Sequence, residues 1–118
     1  MSKPLGPYTP VVRAGDFIII SGQGGLLDGI KVDGGLVAET QQTMKNIEAL
    51  LATMGASMSD VVKTTCFLTD MEDYSVFNEH YVAAFGNHRP SRSCVAVAEL
   101  PANFVVEIEA WAYKPAGR

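Results

Sequence analysis

The stretch RPSRSCVAVAELPANFVVEIEAWAYK, residues 89–114, decides the fold. Two runs rich in Val, Ile, Ala and aromatic residues flank a short Leu-Pro-Ala-Asn turn, the pattern of two β-strands. Side chains alternate between the two faces of a strand. The second run therefore splits into Phe104, Val106, Ile108, Ala110 and Ala112 on one face, and Val105, Glu107, Glu109, Trp111 and Tyr113 on the other. The first set is wholly apolar and belongs under a cover of helices. In the first run the same rule turns Val95 and Val97 toward the helices and Arg92, Cys94, Ala96 and Ala98 away from them. Arg92, Cys94, Glu107 and Glu109 are thus expected to share a helix-free face.

The covering helices are legible upstream. Met44, Ile47, Leu50, Leu51 and Met54 recur at steps of three and four, which predicts a helix over 40–54 closed by a left-handed cap at Gly55. Phe77, Tyr81 and Phe85 predict a second helix over 75–85, ended by Gly86. DFIIISG (16–22) and DVVKTTCFLTD (60–70) read as strands, and GIKV as a strand within a glycine-rich hairpin. The N-terminal arm, rich in proline, reads as irregular. The order is β-β-α-β-α-β-β, an α+β fold in which two helices cover one face of a mixed sheet.

The chain has 118 residues, the size of one domain spanning 1–118, and a 47% hydrophobic content that excludes a disordered chain. No apolar run reaches the ~20 residues of a membrane span, and MSKPLGPYTP has no signal-peptide core, so the expected location is cytoplasmic. Cys66 and Cys94 lie in strand-like runs and read as reduced thiols. With His80 and His88 they make no metal-ligand spacing, so no metal is expected. A net charge of −4 and scattered basic residues argue against nucleic acid as a partner. Val105 and Trp111 make the helix-free face too apolar for a free surface, which points to association with further copies of the chain.

Arg92 is the most suggestive single residue, because a guanidinium can hold a carboxylate through two parallel hydrogen bonds. An ion pair with Glu99, Glu107 or Glu109 is the alternative. Glu107, if partly buried, would keep a proton near neutral pH and act as acid or base; the alternative is a solvated strand residue. Cys94 has no activating histidine nearby and reads as a packed strand residue. The glycines of SGQGG (21–25) read as turn punctuation rather than a phosphate cradle.

Beyond this the sequence resembles the Rid family (reactive intermediate deaminase, also called YjgF or L-PSP), closest to the RidA type. The resemblance is carried by GPYTP (6–10), SGQ (21–23), ETQQTMKNIEALL (39–51), DVVKTTCFLTDMEDYSVFNEHYVAAFG (60–86), RPSRSCVAVAELP (89–101) and VEIEAWA (106–112). It implies a chorismate-mutase-like homotrimer with a central barrel and clefts between subunits. It also implies hydrolysis of 2-enamino and 2-imino acids to 2-oxo acids and ammonia, with no metal or organic cofactor. In that family pattern Arg92 matches the residue binding the substrate carboxylate, and Cys94 one whose backbone helps hold the ligand. Glu107 matches the glutamate beside the attacking water. Tyr8 and Ser21 match cleft-lining positions, and Asn78 a further polar residue of the site. Two departures stand out: the loop usual as S-G-Q-x-P is SGQGGLLDG here, and GNHRPSR is short. Ribonuclease or translation-inhibitor activity, and non-catalytic ligand binding or chaperone-like action, are the competing expectations.

Overall fold

The computed structural model describes residues 4–117; the Met-Ser-Lys that opens the N-terminal arm lies outside the described residues. The elements run β1 (Val11–Ala14), β2 (Phe17–Gln23), β3 (Leu26–Leu27), β4 (Ile30–Lys31), α1 (Gly35–Thr53), β5 (Val61–Leu68), α2 (Tyr74–Phe85), β6 (Ser91–Ala96) and β7 (Val106–Tyr113). Five strands form one sheet in the order β1-β2-β7-β5-β6, and β3 and β4 form a separate small hairpin. All neighbours in the large sheet are antiparallel except β5 and β6, whose parallel pairing requires the crossover that α2 supplies.

Both helices lie on one face, as their apolar spacing predicts. Met44, Ile47, Leu50 and Leu51 of α1 and Phe77, Tyr81 and Phe85 of α2 pack onto Ile18, Ile20, Val61, Cys66, Leu68, Val106, Ile108, Ala110 and Ala112. The whole expected inward set of β7, with Phe104, is buried. α1 ends at the expected glycine: Gly55 adopts φ 76°, and the amides of Gly55 and Ala56 donate to the carbonyls of Ala52 and Leu51.

Two expectations fail for identifiable reasons, and the sheet order adds a feature that the short turn does not suggest. The arm is not wholly irregular, because Val11–Ala14 forms edge strand β1 against β2. The strands flanking Leu-Pro-Ala-Asn are not neighbours, because β5 lies between them and pairs with both. Most consequentially, β6 has the opposite facing. Arg92 is in register with Thr64 and Cys94 with Cys66, and Thr64 and Cys66 are both buried beneath the helices. Arg92 and Cys94 therefore lie on the helix side, whereas Val95 is 45% exposed on the open face. Alternation fixes which residues share a face but not which face is inward. On an edge strand an arginine stacked on aromatic rings can take the inner position.

The helix-free face carries an exposed apolar cluster beside the polar positions Lys63, Thr65, Glu107 and Glu109. Phe17 meets Trp111 and Tyr113 edge-on, with ring centroids 5.9 and 5.3 Å apart. All three remain well exposed, as do Val12 and Val95. No helix of the described residues is long and apolar enough to cross a membrane.

Candidate active site

The sequence-derived site residues fall into two groups on opposite sides of the sheet. The first centres on Arg92, half-buried at the edge of the sheet beneath α2. Its Nη1 donates to Asn78 Oδ1 at 2.8 Å and its Nη2 to the Tyr74 hydroxyl at 2.8 Å. Its guanidinium carbon lies 4.8, 5.4 and 5.9 Å from the ring centroids of Tyr81, Tyr74 and Phe77. Tyr74, Asn78 and Tyr81 stand at helical spacing on α2, so one helix face builds the whole cradle. Tyr81 is held in turn by a buried 2.7 Å hydrogen bond with Thr64. Among the described residues Arg92 forms no ion pair, so the alternative partners Glu99, Glu107 and Glu109 do not neutralise it. Two of its five N–H groups are engaged by neutral partners, which leaves a fixed, uncompensated fork for an anion.

Cys94 sits two residues along β6, half-buried. Burial raises its thiol above the ordinary range, and the nearby Arg92 only partly opposes that. Burial drives the adjacent Cys66 up to about 12. Neither sulfur is a ready thiolate nucleophile at neutral pH.

The second group lines a cleft of about 640 Å³ that contains Tyr8, Ser21 and Glu107. The cleft opens where β2 breaks register with β7 between Ile20 and Gln23, so that Ser21 and Gly22 leave the ladder. Ser21 turns to the N-terminal arm: its amide donates to Pro10 O at 2.9 Å and its hydroxyl to Thr9 O at 2.7 Å. That tie carries Tyr8 to the cleft rim. Glu107 projects from β7 and is half-buried. Burial first, and then the negative charge of Glu109, raise its carboxyl above the usual glutamate range. It makes no hydrogen bond or ion pair among the described residues.

The glycines of residues 21–25 have a purpose that turn geometry does not explain. Gly22 and Gly24 are not at positive φ. A Cβ on Gly22 would collide with the Glu107 carboxylate, and one on Gly24 with the Phe104 ring. Here glycine is needed because side chains from another strand fill the space beside the backbone. α1 fixes the same walls. Asn46 Nδ2 donates to Gly24 O at 3.1 Å and Leu26 O at 2.8 Å, and Gln42 donates to Asn46 Oδ1 at 2.9 Å. Buried Glu39 accepts from Val105 N at 2.9 Å, two residues before Glu107. Among the described residues no cluster of three or more His, Cys, Asp or Glu could hold a metal ion.

The sequence profile of the family described as endoribonuclease L-PSP matches residues 1–114. The chain belongs to the L-PSP (Rid, YjgF) family. Among its L-PSP relatives is a protein of Mus musculus named 2-iminobutanoate/2-iminopropanoate deaminase, 43% identical over 108 residues, covering 90% of this chain and 80% of the relative. A RutC family protein of Pyrococcus horikoshii is 42% identical over 114 residues, covering 95% and 90%. Solved L-PSP structures share the fold. RidA of a Psychrobacter species superposes with a TM-score of 0.89 at 38% identity, covering 95% of this chain and 92% of that one. E. coli TdcF with bound serine superposes with a TM-score of 0.90 at 32% identity, covering 96% and 92%.

In this L-PSP protein the structure brings Tyr8, Ser21 and Glu107 together, and Arg92, Asn78 and Cys94 together, but β5 and the thickness of the sheet separate the two groups. Sequence reasoning missed Tyr74, which it left outside α2, and Asn46. A mid-helix asparagine is a weak helix former, and that was the available signal for a residue with another task.

Proposed function

We propose that the protein is an imine deaminase that hydrolyses 2-imino acids, and the enamines that tautomerise to them, to 2-oxo acids and ammonia. The observation carrying this reading is the pairing of two unspent groups, an unneutralised guanidinium and a partnerless, half-buried carboxyl, within a chain 43% identical to a protein named for that reaction. The net reaction is R–C(=NH₂⁺)–COO⁻ + H₂O → R–CO–COO⁻ + NH₄⁺. A protonated imine is already electrophilic, so the site has chiefly to orient reactants and move protons.

In this reading Arg92 holds the substrate carboxylate with its free N–H groups, while Asn78, Tyr74 and the ring of Tyr81 fix its plane. A water attacks the imine carbon, and Glu107 as carboxylate takes a proton from it. The protonated Glu107 then gives that proton to the amino group of the tetrahedral adduct. As the C–N bond breaks and the C=O bond forms, the adduct's hydroxyl gives its proton back to the Glu107 carboxylate, which passes it to the departing ammonia as ammonium. A glutamate whose carboxyl is raised toward neutral pH by burial suits both halves of the cycle.

Since Arg92 and Glu107 occupy different sides of one protomer, the working site joins the Arg92 group of one copy to the Glu107 cleft of the next. Two features support a closed homotrimer of this kind. Arg92 lies on β6, an edge strand open to a neighbour, and the helix-free face exposes Phe17, Trp111 and Tyr113 together. Three clefts between subunits would result. Cys94 would contribute backbone rather than sulfur, and Tyr8 and Ser21 would close the rim.

The test couples the protein to a pyridoxal-phosphate serine or threonine dehydratase and follows 2-oxo acid release. Acceleration by wild type and its loss in Arg92→Ala are expected. No acceleration would favour a ligand-binding role. The family description favours ribonuclease as the second reading. RNA cleavage that persists in repurified Arg92→Ala protein would support it.

A further inference from the structure

We infer that Cys66 and Cys94 form a two-coordinate site for a soft monovalent metal ion, the cuprous ion, within one protomer. The two residues stand 28 positions apart in the chain, so no sequence spacing announces them. The parallel pairing of β5 with β6 sets them directly opposite each other. Cys66 is buried beneath the helices, and Cys94 packs against the same core from the edge strand. The site therefore needs no residue from another copy of the chain.

The spacing of the strands selects the ligand. Neighbouring strands run about 4.8 Å apart, and side chains on one face stand side by side. Two sulfurs at that spacing are too far apart for a disulfide, whose S–S bond is about 2.0 Å and whose Cβ atoms approach to about 3.8 Å. The same spacing is close to twice a metal–thiolate bond of about 2.3 Å. One ion in line between the sulfurs meets both without moving the strands. After burial, the charge of Cys94 is the next cause of the rise of the Cys66 thiol, which puts the two sulfurs within electrostatic reach of each other.

Further donors are lacking. Among the described residues no three His, Cys, Asp or Glu side chains converge. The Thr64 hydroxyl, 4.0 Å from Cys66 Sγ, is already bonded to the Tyr81 hydroxyl at 2.7 Å. Zinc in a closed site takes four ligands, whereas soft thiolates suit the cuprous ion. Binding replaces two S–H bonds by two Cu–S bonds: Cu⁺ + 2 RSH → [Cu(SR)₂]⁻ + 2 H⁺. Arg92, two residues along β6 and in no ion pair among the described residues, balances the negative charge of the product. Burial raises both thiols, and this guanidinium opposes it at each of them. Cys94, half-buried on the outermost strand, gives the ion its way in, and Cys66 closes the site from behind.

The experiment is an anaerobic titration of the whole reduced protein with cuprous ion in competition with bicinchoninate. Wild type is expected to take one ion per chain from the chelator. Copper K-edge absorption of the loaded protein should show two sulfur neighbours and no other ligand. Cys66→Val, which keeps the core apolar, and Cys94→Ala should each weaken binding at least ~100-fold, beyond the cost of altering a group behind a ligand. Copper that stays on the chelator beside wild type overturns the inference. So does copper that folded Cys66→Val holds as tightly as wild type, which is adventitious binding. If neither variant folds, the absorption spectrum of wild type decides: a third ligand, or a nitrogen or oxygen neighbour, overturns the two-sulfur site. Zinc titrated in place of copper should remain on 4-(2-pyridylazo)resorcinol; its capture by the protein contradicts a site of two donors.

Discussion

Replacing Arg92 separates its structural contribution from its chemical one. In the folded chain its guanidinium stacks 4.8 Å from the Tyr81 centroid and donates to Asn78 and Tyr74. A partly desolvated cation–π contact is worth about 0.5–2 kcal/mol. The two hydrogen bonds add little net, because both neutral partners lie where water can replace the arginine. Arg92→Ala should thus cost about 1–2 kcal/mol of stability and lower Tm by about 4–10 °C, leaving a folded protein at assay temperature. The kinetic effect is larger. Two charge-assisted bonds to a substrate carboxylate, at about 1.5 kcal/mol each, amount to about 3 kcal/mol, a loss of more than ~100-fold in kcat/KM. Arg92→Lys keeps the charge but cannot reach Asn78, Tyr74 and a carboxylate together, so it should stay at least ~10-fold below wild type. Thermal unfolding by circular dichroism and kcat/KM on alanine-derived imine give both readouts. A folded Arg92→Ala protein within about threefold of wild type would refute the reasoning.

Glu107→Gln should lower kcat by about 100-fold or more, the lower range for loss of a general acid–base. It should also stabilise the protein at neutral pH. Because the folded carboxyl binds its proton more tightly than the unfolded one, wild-type stability declines as pH rises from the unfolded value of 4.5 through the raised folded value. The Tm advantage of the glutamine variant should therefore grow across that window and vanish below it; an advantage independent of pH would contradict the burial argument. Gly22→Ala places a methyl group against the Glu107 carboxylate and should reduce kcat/KM at least tenfold with the circular dichroism spectrum unchanged; wild-type activity would show that the carboxylate need not stay in place. Trp111→Glu puts a charge on the exposed aromatic cluster and should shift the sedimentation coefficient to that of a monomer and abolish activity together; an active monomer would remove the subunit boundary from the mechanism.

Much of the fold is written in periodicity. The stripe from Met44 to Leu51, the alternation of β7 and the glycine at 55 each have one physical interpretation, and each is realised. The facing of β6 was not legible. Polarity turns Val95 inward and Arg92 outward, but it misleads on an edge strand where three aromatic rings of α2 shelter the guanidinium. β1 was hidden because four residues ending in Arg13-Ala14 carry too little pattern, and its stability comes from pairing with β2 and from Arg13 donating to the carbonyls of Lys114 and Met54. For the site, the resemblance named both Arg92 and Glu107. That they lie on opposite sides of one protomer depends on sheet order, to which a single sequence gives little access. The role of Gly22 was equally invisible, because the carboxylate that needs its missing side chain is 85 residues away in the chain.

The claim that one protomer supplies Arg92 and another Glu107 can be tested by mixing. Arg92→Ala and Glu107→Gln proteins, each inactive alone, are co-expressed in equal amounts and assayed on alanine-derived imine. Random assembly into closed rings places an intact Arg92 beside an intact Glu107 from a neighbour at about one boundary in four, so about a quarter of wild-type activity per chain should return. If a site draws both groups from the same chain, no mixture contains an intact one, and activity that stays at the level of the separate variants would contradict the account.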